Sequence, residues 1–185
     1  MTGAEFITEW SRTRVVFGPG VLERLGTELD TLGAARALLV TTPRRDATIE
    51  NVLGELGNKV AGVCDFAAMH VPADRIQRAV AEVDRVRPDV LLAVGGGSAV
   101  GLAKAIARER PLPIVAVPTT YAGSEMTSIW GVTSGDTKTT GRDPAVALRP
   151  RASRPRRRCS RSASDCSAPS AARGWARSCA ILLQA

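Results

Sequence analysis

Past Arg36 the chain alternates short apolar runs with amphipathic stretches. The runs fall at 37–40, 60–63, 90–94 and 114–117, each of strand length and bounded by Gly, Pro or charge. Between them the spacing is helical. It is clearest over 73–87, where Ile76, Val80, Val83 and Val86 recur about one turn apart and Asp74 stands where an N-cap is wanted. Strands joined by helices of this length imply βαβ crossovers, because parallel neighbours cannot be joined by a hairpin. The prediction is an open α/β domain with a mostly parallel sheet and flanking helices.

A smaller pattern precedes the alternation. Residues 13–17 read as a strand, Gly18-Pro19-Gly20 as a turn, and 21–32 as a helix with Val21, Leu22, Leu25 and Leu29 on one face. Beyond Thr133 the pattern weakens into Gly, Asp, Thr and Lys, which reads as a loop or hairpin. From about Ala147 the composition changes: 30 of the 37 residues over 149–185 are Arg, Ser, Ala, Pro or Cys, and no periodicity survives. Such a segment buries too little apolar surface to offset its ordering entropy. The chain therefore divides into a body, 1–147, and an Arg/Ser/Ala-rich tail, 148–185, expected to be disordered.

Charge follows the same division. The net charge of +7 would point to a nucleic-acid or anionic partner, yet residues 1–148 carry 16 Lys+Arg against 17 Asp+Glu, and 149–185 carry 9 Arg against Asp165 alone. The tail is either an arginine-rich arm or a segment translated out of frame from GC-rich DNA, and its residue types favour the second. An arm that stacks on bases would interleave aromatics, whereas the tail holds only Trp175. Cys64 is the only cysteine of the body, as suits a reduced compartment. No basic and apolar leader opens the chain and no run approaches the ~20 apolar residues of a membrane span. These readings give a cytoplasmic protein with no nucleic-acid or membrane partner.

Two segments carry the chemistry. Residues 89–98 run a buried strand into Gly95-Gly96-Gly97-Ser98, followed by a helix over 99–108. Glycines there let a phosphate approach the backbone, and the helix behind them offers free N–H groups and the positive end of its dipole. This is neither G-x-G-x-x-G nor a Walker loop, and taken alone a tight connection explains it as well. The second segment, Val117-Pro118-Thr119-Thr120-Tyr121-Ala122-Gly123-Ser124-Glu125-Met126-Thr127, leaves the carboxyl end of the next strand, where open α/β sheets bind ligands. A Ser/Thr-rich capping loop is its plainer reading.

Together, Gly95-Gly96-Gly97-Ser98 with Lys104, then Pro118-Thr119-Thr120 and Gly123-Ser124-Glu125-Met126-Thr127, resemble the paired signatures of the iron-containing alcohol dehydrogenases. Within that family, Gly101 in place of the usual Asp, Tyr121-Ala122, Ile129-Trp130-Gly131 and Lys138-Thr139-Thr140-Gly141-Arg142-Asp143 resemble the maleylacetate reductase branch. The resemblance covers residues 6–148. It implies a Rossmann-like dinucleotide-binding domain, with no counterpart here to the family's C-terminal helical domain. It also implies NADH- or NADPH-dependent reduction of maleylacetate, a small dicarboxylate, to 3-oxoadipate in aromatic degradation, and a possible homodimer.

Carried over, Gly95, Gly96, Gly97 and Ser98 would hold the pyrophosphate, Thr119, Thr120 and Ser124 the ribose and nicotinamide side, and Thr41, Thr42 and Pro43 the adenosine. Lys138 and Arg142 are the candidate cations for the substrate, no catalytic acid or base is assigned, and Arg44 and Arg45 leave NAD against NADP open. Metal-dependent relatives bind metal through one Asp and three His of the helical domain. This chain has one histidine, so no metal site is expected. His70 lies between a strand and a helix, far from both signatures, and reads as a surface or packing residue. Because the Arg-rich sequence begins where the family would enter its helical domain, a frameshift near codon 147 and an inactive truncated product are expected. The alternatives are a fragment of a metal-dependent alcohol dehydrogenase, against which Gly101 and Tyr121 argue, and a non-catalytic nucleotide-binding module.

Overall fold

The computed structural model describes residues 6–10, 13–44, 46–120, 122–146 and 178–183. In chain order the strands are β1 (Phe6–Trp10), β2 (Thr13–Pro19), β3 (Ala37–Val40), β4 (Val60–Cys64), β5 (Val90–Gly95), β6 (Ile114–Pro118), β7 (Ile129–Ser134), β8 (Thr137–Arg142) and β9 (Ser178–Leu183). The α-helices are α1 (Leu25–Leu32), α2 (Ala47–Leu56), α3 (Ala73–Val86) and α4 (Gly97–Glu109).

The main sheet runs β1-β2-β9-β6-β5-β3-β4. Its parallel part is β4-β3-β5-β6, and β9 pairs antiparallel with both β2 and β6. Helices cover both faces. Leu38, Val40, Leu91, Ala93, Ile114 and Ala116 pack with α3 and α4, while Leu39, Leu92, Val94, Val115 and Val117 pack with α1 and α2. Alternate residues of each central strand thus feed opposite cores, as the period of two requires, and so these strands read as unbroken apolar runs. Residues 90–94 have no exposed surface at all, and truncating a leucine there would cost about 2–5 kcal/mol.

The four predicted strands and the helix over 73–87 form within a residue or two of their expected bounds. Two local expectations change, and the choice between loop and hairpin past Thr133 is decided. Asp74 does not cap α3: Pro72 takes the N-cap position without a side-chain bond, and Asp74 lies in the first turn beside Arg75. The segment 21–32 begins as a 3-10 turn, Val21–Arg24, before α1 takes over, yet Val21, Leu25 and Leu29 are buried as expected. Residues 129–142 form an antiparallel hairpin, β7-β8, whose Trp130 and Val132 pack on the α3–α4 core.

A further difference is topological. Six residues of the segment expected to stay outside the fold form β9, between β2 and β6. An average over 37 tail positions hides the apolar run Cys179-Ala180-Ile181-Leu182-Leu183, and a strand between two other strands satisfies its backbone on both sides. Residues 147–177 and 184–185 lie outside the described residues, as does the boundary expected near 147.

Candidate functional site

The parallel strands, taken in sheet order, are the second, first, third and fourth of the crossover series. The connections therefore leave β3 and β5 toward opposite faces, and the crevice outside their carboxyl ends is the switch point where open α/β sheets take ligands. Thr41 and Thr42 follow β3 there, and Gly95 to Ser98 end β5 and begin α4. Two segments more than fifty residues apart in sequence meet because their strands are neighbours.

Glycine is needed in this turn for two separate reasons. Gly95 has φ 140, a backbone region closed to other residues. At Gly96 the backbone is ordinary, but a Cβ would stand 2.5 Å from Thr120 Oγ1, so the two turns touch. A hydrogen bond from Thr119 N to Gly95 O, 3.0 Å, joins the same turns. Gly96 is the N-cap of α4 and no side chain caps it, leaving the first-turn N–H groups for a ligand. Gly97 and Ser98 are half-buried, and Thr119 and Thr120 are exposed beside them.

Of the adenosine-side candidates, Thr41 is fully buried and its hydroxyl has no hydrogen-bond partner. Its backbone is tied to Cys64 O and to the N–H of Ala67. Thr42 is half-buried, Pro43 and Arg44 are exposed, and Arg45 and Tyr121 lie outside the described residues.

Ser124 sits in a 3-10 turn that follows Gly123 at φ 73. Behind this turn lies a device that sequence reasoning passed over. Lys104, in the middle of α4 with no exposed surface, donates from Nζ to Ser124 O at 2.5 Å, Thr127 O at 2.6 Å and Ile129 O at 2.9 Å. Burial pulls this ammonium down to about 8, while the carboxylate of Glu125 acts in the opposite sense. Lys104 thus fastens the second signature segment to the helix that carries the first. A lysine on the buried face of an apolar helix was the available signal.

The two candidate cations separate. Lys138 lines a cavity of about 360 Å³ with Gly97, Ser98, Ser124 and His70. Arg142 stands four residues further along β8, about 13 Å at the usual strand rise, and is not part of that cavity. His70 is the correction here. It is exposed, as expected of a surface residue, but it opens onto the glycine turn rather than lying far from it. Larger cavities, of about 470 and 640 Å³, lie elsewhere. The first is at the amino ends of the parallel strands and the second lies between α3, α4 and the hairpin. Neither is lined by the glycine turn that opens α4, so position in the fold rather than volume identifies the candidate site.

Among the described residues no three His, Cys, Asp or Glu side chains gather as a metal cluster would require. No helix among them is long and apolar enough to cross a membrane.

Comparison with known proteins matches the same region. The pattern that defines the iron-containing alcohol dehydrogenases matches residues 12–152. Maleylacetate reductase of Burkholderia cepacia is 49% identical over 144 residues, which are 78% of this chain and 41% of that protein. Maleylacetate reductase 2 of Cupriavidus pinatubonensis is 50% identical over 148 residues, 79% of this chain and 41% of its own length. The crystal structure of maleylacetate reductase from Agrobacterium tumefaciens superposes with a TM-score of 0.68 at 39% identity, covering 71% of this chain and 37% of that one. The chain therefore spans about two fifths of the length of the relatives it matches.

Proposed function

The chain belongs to the iron-containing alcohol dehydrogenase family, and from that membership we infer that its body is the nicotinamide-dinucleotide-binding part of a maleylacetate reductase. The observation that carries this reading is the meeting, at the carboxyl ends of β5 and β6 beside the switch point, of the uncapped glycine turn with the loop that Lys104 holds. The turn suits a pyrophosphate: Gly96 leaves the first N–H groups of α4 uncapped and carries no side chain over them.

In this reading Gly95, Gly96, Gly97 and Ser98 receive the pyrophosphate on backbone N–H groups at the positive end of α4. Thr119, Thr120 and Ser124 line the ribose and nicotinamide side, and Thr42 and Pro43 the adenosine, with Thr41 packed beneath them. Lys104 keeps Ser124 in place and touches nothing in the cleft. When bound, the reduced nicotinamide supplies the hydride for a carbon–carbon double bond conjugated to a carbonyl. Around it the chain binds, orients and excludes water. Lys138 supplies positive charge at the nicotinamide end for an anionic substrate.

Titration of the purified chain with NADH and NADPH, beside an assay of their oxidation by maleylacetate, tests the reading. Saturable binding that Gly96→Ala weakens by about tenfold or more supports it, and absence of binding by either nucleotide refutes it. The chain spans 41% of the length of the Burkholderia cepacia relative, and nucleotide binding is the result this reading requires of the purified chain.

A further inference from the structure

His70 and Val71 adopt φ 64 and φ 48, two successive left-handed residues of which the second is β-branched. Such a pair persists only where the surroundings over-determine it. The surroundings here are explicit. Val71 N donates to Ala68 O at 3.3 Å, Thr133 N donates to Val71 O at 3.1 Å, and Pro72 bridges to Thr133. The Val71 side chain is buried against α4 at Gly101, where a Cβ would stand 2.8 Å from Val71 Cγ2. Gly101 thus admits the turn, the hairpin holds it, and the result is an imidazole at the mouth of the cavity beside the glycine turn.

The chemistry of that cavity is one-sided. His70, Lys138, Ser98 and Ser124 supply an imidazole, an ammonium and two hydroxyls, and among the described residues no carboxylate side chain lines it. A donor-rich pocket without acid, adjoining a cofactor cleft, suits an oxyanion with planar geometry. We propose that this pocket is a carboxylate subsite, in which His70 and Lys138 hold one carboxylate of the substrate and Gly101 keeps acid and bulk out. The assignment rests on the reading of the chain as a nucleotide-binding reductase part and adds His70 and Gly101 as residues that determine specificity for anionic substrates.

The test is calorimetric titration of succinate, as a plain dicarboxylate, into the whole chain with and without saturating NADH. The variants are His70→Gly, Lys138→Met, Gly101→Ala and Gly101→Asp. Glycine accepts φ 64 without strain, so His70→Gly removes the imidazole and spares the backbone. Loss of one charge-assisted bond weakens succinate about tenfold in His70→Gly and in Lys138→Met, while NADH affinity of His70→Gly stays within about twofold. Gly101→Ala and Gly101→Asp displace Val71 alike, so a further loss of about tenfold in the Asp variant reads the added charge.

Succinate that fails to bind the wild-type chain overturns the proposal, as does binding indifferent to His70 and Lys138. Inorganic phosphate that binds with the same dependence and is displaced by NADH also overturns it, by giving the pocket to the cofactor. Succinate binding that depends on His70, in a chain that takes up no NADH, sustains the subsite and refutes the nucleotide reading instead.

Discussion

Gly96→Ala separates what the glycine turn does for the fold from what it does for a ligand. Its backbone, φ −86 and ψ −159, is open to alanine, so no conformational strain arises. The added Cβ would stand 2.5 Å from Thr120 Oγ1. Thr120 is exposed but β-branched, so it yields by turning its side chain or shifting its turn slightly. Overpacking of this kind costs ~1–3 kcal/mol, and the low end applies at an exposed contact. Alanine returns ~0.4–1 kcal/mol by restricting the unfolded chain. The net is a loss of about 1 kcal/mol or less, a Tm shift of ~2–4 °C for a chain of this size. Nucleotide affinity should fall far more, by about tenfold or more, because the methyl occupies the path of a phosphate to the backbone. The assays are thermal melting and NADH titration of Gly96→Ala and of Gly96→Ala with Thr120→Ala. Relief of the clash should restore the melting temperature in the double variant and leave its affinity well below that of Thr120→Ala alone, the reference that allows for loss of the Thr120 hydroxyl. If the double variant regained full affinity, the methyl would act only through Thr120 and the phosphate path would be refuted.

Three further outcomes are expected. Between pH ~8 and ~10.4 native Lys104 holds fewer protons than its unfolded counterpart, so its contribution to stability rises with pH across that window. The difference in urea midpoint between wild type and Lys104→Met should grow in that direction, and a flat difference would exclude the buried ammonium. Burial, with Glu82 and Asp65 acting in the same sense, pushes the Cys64 thiol up to about 12, so in peptide-mapped iodoacetamide labelling at pH 8.5 it should react only after denaturation. The native state also keeps this proton longer than the unfolded chain, so the contribution of Cys64 is full below pH ~8.5 and is lost on approach to 12. Arg14 meets Glu28 through two bonds, 2.8 and 2.9 Å, with Glu28 almost fully covered. Glu28→Gln should cost about 1.5–3 kcal/mol in chemical unfolding, and a loss below about 0.5 kcal/mol would place the pair among weak surface bridges.

Residues 37–40, 90–94 and 114–117 were legible as strands because a centrally buried parallel strand is apolar at every position, a property carried by four or five adjacent residues. The glycine turn was legible for the same reason, since strand, turn and helix follow one another along the chain. Where these segments meet was not legible locally. The nearness of Thr42 to Gly96 depends on sheet order, and sheet order on which apolar faces are left to cover. His70 looked remote because it is remote in sequence; a turn clamped between Gly101 and Thr133 brings it to the cleft. Lys138 and Arg142 looked equivalent until the hairpin register put them at opposite ends of β8. Lys104 was legible as a misplaced charge but not as a fastening, since its three acceptors lie 20 to 25 residues away. In the tail, the mean composition hid Ser178–Leu183, whose place is defined by two partner strands on either side. Periodicity belongs to neighbours along the chain, whereas a site is assembled from residues that only packing brings together.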